Sequence, residues 1–105
     1  MVVVVWHRLA ALELNEAAGF LASKRIGLRD AFLSEAERCV AAVAEHPEAG
    51  HFIGLAVRRR ILRRFPYAIL YCAFGSEIRI LAVTHLRRRP SCWQDRVDPE
   101  PNASR

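Results

Sequence analysis

Apolar residues recur at helical spacing in the first half of the chain. Two helices are predicted, over residues 10–24 and 29–45, because the apolar positions of each fall on one face. Gly27 separates them and Pro47 ends the second, so the two form a hairpin. The Glu side chains of both helices are predicted to lie in solvent. The inner faces carry Ala10, Leu14, Ala17 and Leu21 in the first helix and Phe32, Ala36, Cys39, Val40 and Val43 in the second.

Strand patterns precede and follow this hairpin. Residues 2–6 are β-branched and aromatic, and residues 55–64, 67–74 and 77–84 are predicted to form a meander of three further strands. The run 67–74 is apolar on both faces, which is typical of a central strand. The last strand is predicted to alternate regularly, with positions 78, 80 and 82 on one face. The order β-α-α-β-β-β predicts an α+β fold, with a helical hairpin packed on one face of a small, largely antiparallel four-stranded sheet.

The chain length of 105 residues suits one domain, predicted over residues 1–96, with a flexible tail over residues 97–105. No segment approaches the roughly 20 apolar residues that span a bilayer, so no membrane association is expected. No signal peptide is recognised, and we expect a cytoplasmic location. The three cysteines form no CxxC pair and no histidine lies at metal-ligand spacing from them, so neither a metal nor a cofactor is expected.

The net charge of +5 is unevenly divided along the chain. Residues 1–57 hold five basic and seven acidic side chains, a net charge of −2, whereas residues 58–96 hold ten Arg and two acids, a net charge of +8. Nearly all the basic residues are Arg, which suits bidentate contacts with phosphate or carboxylate. An anionic partner is therefore predicted, either a nucleic acid or an acidic protein segment.

The arginines form two clusters. The first, residues 58–64, lies on a predicted strand, where positions 58, 60 and 64 would face one side and positions 59 and 63 the other. The second, residues 85–93, follows a strand, where a loop can direct side chains from a rigid sheet. Protection of an edge strand by charge is the alternative explanation for the first cluster. The predicted binding residues are Arg58, Arg59, Arg63, Arg64, Arg87, Arg88, Arg89 and Trp93.

Two segments, Arg63-Arg-Phe-Pro-Tyr67 and His85-Leu-Arg-Arg-Arg-Pro-Ser-Cys-Trp93, together resemble the ParE branch of the RelE/ParE toxins. These are the toxin halves of type II toxin–antitoxin modules, also called plasmid stabilisation proteins, and the resemblance covers about residues 1–96. It implies a protein that inhibits growth by binding DNA gyrase. It also implies a cognate antitoxin whose acidic or amphipathic segment covers the arginine surface in a toxin–antitoxin hetero-oligomer.

The RelE branch suggests an alternative, an endoribonuclease that cuts messenger RNA on the ribosome. Matched by position, Arg59 and Arg63 would stand for its strand cations, and His85, Arg87 and Arg89 would surround the scissile phosphate. However, Ala68 stands where a basic residue is expected, Trp93 stands at the position of the C-terminal tyrosine, and Cys92 replaces the tyrosine of a related variant. Because RNA cleavage needs proton transfer, these replacements favour inhibition by binding. A nontoxic nucleic-acid-binding module or degenerate toxin is the third alternative.

Overall fold

A computed structural model describes residues 2–54, 56–87 and 96–97 of the chain. Within these ranges no helix has the length and apolar character needed to cross a bilayer. The first helix begins after His7, whose Nδ1 accepts a hydrogen bond from the backbone N–H of Leu9 at 3.1 Å. The elements are β1 (Val3–Trp6), α1 (Arg8–Lys24), α2 (Leu28–Glu45), a 3₁₀ helix (Pro47–Ala49), β2 (His51–Gly54), β3 (Val57–Ile61), β4 (Tyr67–Phe74) and β5 (Glu77–His85).

The strands form one mixed sheet in the order β1-β5-β4-β3-β2. β1 runs parallel to β5, and the other neighbours are antiparallel. The α+β class and the predicted element order are confirmed, but the sheet has five strands and not four. The predicted strand over residues 55–64 was wrong in its bounds, because the chain reverses between Gly54 and Val57 and a separate strand precedes that turn. Gly54 and Ala56 both have positive φ there, which breaks the extended run.

β5 does not alternate regularly between its two faces. The residues on either side of Leu81 pair with consecutive residues of β4, so Leu81 is the extra residue of a β-bulge. Ile80 and Val83 therefore face the helices, whereas Leu81 and Ala82 pack on the opposite face. The prediction that position 82 shares a face with positions 78 and 80 was wrong, because the bulge shifts the alternation by one residue.

Both faces of the central strands are buried. On the helix side, the ring of Phe32 makes edge-to-face contacts with Phe65 and Tyr67, at centroid distances of 5.4 and 5.1 Å. The opposite face carries a smaller apolar cluster, against which Val97 packs. Burial on both faces confirms β4 as a central strand. Of the predicted tail, Val97 is thus part of the packing, and residues 98–105 lie outside the described residues.

A buried ion pair covers the part of β5 that β1 does not reach. The Glu13 carboxylate accepts a hydrogen bond from the Val83 backbone N–H at 3.0 Å, and Arg96 donates to the Leu81 carbonyl at 2.9 Å. The Arg96 guanidinium also binds both carboxylate oxygens of Glu13 at 2.9 Å. The Glu13 side chain is only 14% exposed, so the prediction that the helical Glu residues all lie in solvent was wrong.

Candidate functional site

The two arginine clusters meet at one end of the sheet, where β4 begins and β5 ends. Tyr67 pairs with His85, and the Leu86 backbone N–H donates to the Pro66 carbonyl at 2.9 Å. The loop between β3 and β4 therefore lies beside the segment that follows β5. The arginines that these two segments carry within the described residues are exposed. We call this surface, formed by Arg63, Arg64, His85 and Arg87, the basic end of the sheet.

Glu35 of α2 holds the loop that carries Arg63 and Arg64. Its side chain lies beneath the loop and accepts hydrogen bonds from the backbone N–H groups of both arginines. It also accepts one from Arg64 Nε at 3.3 Å, although the Arg64 side chain stays 67% exposed. Glu35 itself is 3% exposed, a second helical Glu for which the solvent prediction was wrong. Glu35 thus fixes the loop backbone, while the side chains of Arg63 and Arg64 stay exposed.

The pKa of the Glu35 carboxyl reflects two opposing effects. Burial alone would raise it, because a charged carboxylate loses solvation. The two backbone N–H donors, the Arg64 hydrogen bond and the nearby Arg64 charge outweigh burial and hold the pKa below its ordinary value. Glu35 is therefore ionised at neutral pH and serves as an anionic anchor for the loop.

His85 is the titratable side chain at the centre of this surface. It is half-buried, its ring lies edge-to-face with Tyr67 at a centroid distance of 5.0 Å, and its Nδ1 accepts from the Arg87 backbone N–H at 3.1 Å. In the neutral ring this places the remaining proton on Nε2. His85 thus orients the backbone at Arg87 as well as being a candidate proton donor.

An apolar groove adjoins the same end of the sheet. It has a volume of about 320 Å³ and lies between α1 and the strands, with Ala17, Phe20 and Val83 among its lining residues. The Phe20 side chain is 55% exposed. Glu16 and Glu13 also line it, so apolar and acidic surface lies next to the exposed arginines. This groove was not predicted, because Phe20 lies outside the helical face that the apolar periodicity selected.

Arg58 is occupied by the fold. Its guanidinium donates to the carbonyls of Glu48 and Gly50 at 2.9 and 2.8 Å and lies 3.7 Å from the centroid of the Phe52 ring. These contacts fix the connection between the 3₁₀ helix and β2. Arg58 pairs with Tyr71, four residues along β4 from Tyr67, which is about 13 Å at the rise of a strand. The basic end of the sheet therefore does not include it.

Arg59 and Arg60 lie on opposite faces of β3, as the alternation predicted. Arg60 pairs with Ile69 of the helix-side core, and Arg59 pairs with Leu70 of the other apolar cluster. Both are half-buried. The predicted grouping of Arg63 and Arg64 with this strand was wrong, because β3 ends at Ile61 and both residues belong to the following loop.

Some predicted site residues cannot be placed. Arg88, Arg89, Cys92 and Trp93 lie outside the described residues, so their position relative to the basic end of the sheet stays a prediction. Ala68, which stands where the endoribonucleases have a basic residue, is completely buried in β4. Among residues 2–54, 56–87 and 96–97, no group of three or more His, Cys, Asp or Glu side chains is arranged to hold a metal ion.

Glu35 is the functional residue that sequence reasoning missed, although a signal was present. It lies three residues after Phe32 and beside Ala36, both on the inner face of α2. A carboxylate within an apolar helical stripe requires a buried partner. The pattern could therefore have indicated a buried hydrogen-bonding role for Glu35, but not which backbone groups it binds.

Comparison with known proteins gives a consistent result. A family model described as the ParE toxin of type II toxin–antitoxin system, parDE, matches residues 4–90. A solved structure described as "Chromosomal ParDE TA system from P. aeruginosa" contains a similar chain, with a TM-score of 0.59 and 21% sequence identity. The alignment covers 81% of this chain and 96% of that chain, and at this identity it shows the fold alone. A search of curated proteins found no significant match.

Proposed function

The chain belongs to the ParE family, the toxins of type II toxin–antitoxin systems, and from this premise we propose that it arrests growth by binding DNA gyrase. In this proposal the protein acts in the cytoplasm by occupying its target, and a cognate antitoxin neutralises it. The observation that supports binding is the basic end of the sheet. There, exposed arginines from two separate segments share one surface, which a rigid sheet and the Glu35 anchor hold in place.

The exposed arginines of the basic end of the sheet are better suited to binding an anionic partner than to catalysing proton transfer. Arg63, Arg64 and Arg87 are exposed and permanently charged, so they can form bidentate contacts with carboxylate or phosphate groups. Guanidinium groups are poor proton donors because their pKa lies far above neutral pH. Binding through such a surface is also fast, because opposite charge steers the encounter.

The proposed antitoxin contact follows from the same surface. An acidic or amphipathic segment can pair its carboxylates with the exposed arginines while its apolar side chains enter the groove beside Phe20. Disordered antitoxin segments of this kind would fold on binding and wrap a large part of the toxin. The complex would then be a toxin–antitoxin hetero-oligomer, in which the target can no longer reach the basic end of the sheet.

The experiment that tests the target is inducible expression in the absence of antitoxin. We expect growth to stop, plasmid DNA to lose negative supercoiling, and the purified protein to inhibit gyrase supercoiling in vitro. Coexpression of the antitoxin from the same operon should restore growth. Growth arrest with normal supercoiling and an unaffected gyrase would refute the gyrase proposal while leaving toxin activity in place.

One observation favours a second candidate, cleavage of ribosome-bound messenger RNA. His85 supplies an imidazole that can donate or accept a proton, and Arg87, whose backbone N–H donates to that ring, is exposed for a phosphate contact. This candidate predicts codon-associated cuts in translated messages and loss of toxicity in Arg87→Ala. Intact messages throughout a full growth arrest would eliminate it.

A further inference from the structure

A second basic site lies between α2 and β3, beneath the loop that leads to β4. It is a pocket of about 210 Å³. Three arginines, Arg38, Arg60 and Arg63, line it together with the apolar side of Cys39, Ala42 and Ile61. The pocket thus combines cationic groups with apolar walls. It shares Arg63 and Glu35 with the basic end of the sheet, whereas Arg38, Arg60 and the apolar walls take no part in the gyrase proposal or in the groove beside Phe20.

The cations of this pocket are not neutralised within the described chain. Glu35, the acidic residue in the pocket wall, already accepts from the Arg63 and Arg64 backbone N–H groups and from Arg64 Nε. Three arginines and one carboxylate leave a net charge of +2 among the lining residues. Arg60 Nη1 is buried without a hydrogen-bond partner in the part of the chain that the structure describes. A guanidinium nitrogen in this position can donate a hydrogen bond to an anion that enters the pocket.

The apolar lining of the pocket favours an anion that also carries an apolar group. Burial raises the pKa of the Cys39 thiol to about 11, although the Arg60 charge opposes this, so Cys39 is neutral at physiological pH and presents an apolar surface. Ile61 is 48% exposed at the mouth of the pocket. A nucleic-acid backbone offers phosphates and polar sugars but no aliphatic side chain for such walls. A peptide that carries an apolar side chain next to a carboxylate satisfies both parts of the pocket.

The backbone beside the pocket can receive an extended segment. β2 pairs with β3 as far as Arg59, so Arg60 and Ile61 have no strand neighbour on their outer side among the described residues. A short open strand edge is a common docking place for a peptide in extended conformation, whose alternate side chains then reach pockets on one face. The open edge and the charged pocket occupy the same two residues of β3.

We propose that this pocket receives an acidic, hydrophobic peptide segment of a partner protein, with an aliphatic side chain against Ala42 and Ile61 and an adjacent carboxylate bound to Arg60 and Arg38. The identification of that partner as the antitoxin rests on the proposed function. The binding chemistry of the pocket does not depend on it.

The test is an NMR titration of the isotope-labelled full chain with two short peptides. N-acetyl-Leu-Glu-Leu-amide should shift the resonances of Cys39, Arg60 and Ile61. Its Gln analogue should bind about tenfold more weakly or worse, as expected for loss of a charge-assisted hydrogen bond. Arg60→Gln should weaken binding of the acidic peptide to a similar extent. Arg38→Gln, at an exposed position that does not threaten folding, should also weaken it, whereas Arg29→Gln on the same helix should not.

Three results would overturn the proposal. These are equal affinity for the Glu and Gln peptides, unchanged affinity in Arg38→Gln together with Arg60→Gln, and displacement of the acidic peptide by a thymidine decanucleotide at equal concentration. The last result would identify a nucleic-acid site instead. If the protein does not inhibit gyrase, the expected results of the peptide titration stay the same. If the protein inhibits gyrase but does not bind the acidic peptide, only the proposal for the pocket is refuted.

Discussion

At the scale of single residues, the position of the backbone decides whether an arginine serves the fold or the surface. Arg58 binds two carbonyl groups and an aromatic ring, whereas Arg63 is exposed in a loop. The two lie five positions apart in one cluster, and no property of the side chain distinguishes them. The difference comes from the end of β3 at Ile61, which places the later arginines outside the sheet.

The Glu35 anchor can be tested by Glu35→Gln. The amide keeps the shape of the side chain but loses an acceptor oxygen and the charge, so we expect the free energy of unfolding to fall by about 1–3 kcal/mol. Urea denaturation at neutral pH measures this, and Glu37→Gln, which is exposed on the same helix, should change it by less than about 0.5 kcal/mol.

The pH dependence of that difference provides a further check. Because the pKa of Glu35 in the folded protein lies below its ordinary value of 4.5, the stabilisation by its ionised form is present above that value. It is lost as the pH falls through the lowered pKa of the folded state. The stability difference between the parent protein and Glu35→Gln should therefore be largest near neutral pH and shrink under acid conditions. A difference that stays constant down to the acid transition would contradict the anchor.

Gly50 and Gly19 give a matched pair of substitutions with opposite expected signs. A Cβ at Gly50 would overlap the Tyr71 hydroxyl, which donates to the Pro47 carbonyl at 2.6 Å. Gly50→Ala should therefore destabilise the fold by about 1–3 kcal/mol through overpacking. Gly19 lies exposed inside α1 with open space around it, so Gly19→Ala should stabilise by about 0.5–1 kcal/mol. Thermal melting of both variants would show whether the signs differ.

At the scale of elements, periodicity predicted what is long and failed where segments are short. Both helices and the two longest strands were predicted nearly within their bounds, because many positions contribute to each pattern. β2 was missed because it has only four residues. Gly50 and Gly54 flank its short apolar core, and glycines at such spacing indicate a turn as readily as a strand. The bulge at Leu81 could not be predicted from the sequence, because the residues around it are all apolar and each could be buried on either face of the sheet.

The free edge of β5 is the element whose stability depends on a contact distant in sequence. Glu13 and Arg96 together satisfy two backbone groups of that edge and pair with each other. Removing one member of such a buried pair forfeits its charge-assisted hydrogen bonds to the other member and to the backbone. Glu13→Gln and Arg96→Met should each cost about 3 kcal/mol of the free energy of unfolding.

A double-mutant cycle isolates the interaction between these two residues. The loss of stability in the double variant should be clearly smaller than the sum of the losses in the two single variants, because the double variant removes both charges of the pair at once. Additive losses in chemical denaturation would mean that Glu13 and Arg96 act independently. Glu16→Gln, on the exposed side of α1, serves as the control and should be close to neutral.

At the scale of the whole molecule, the excess of arginine in the second half of the chain contributes to one exposed surface, the basic end of the sheet. Replacing both Arg63 and Arg87 by Gln should weaken the proposed inhibition of gyrase by about tenfold or more, since each can supply a charge-assisted contact. Thermal stability should hardly change, because both side chains are exposed. The control is Arg25→Gln combined with Arg29→Gln, which removes the same charge at the turn between the helices. Equal loss in both double variants would show that net charge, and not the basic end of the sheet, sets the affinity.

The sequence by itself determined the class of fold, the order of helices and strands, and the concentration of arginine in the second half. These follow from local patterns and composition, which act between near neighbours in the chain. Only the tertiary structure decided which arginines are exposed, because the Glu35 and Glu13 contacts join residues that are 28 to 83 positions apart. Such contacts depend on where distant segments meet in space, which no local pattern of residues records.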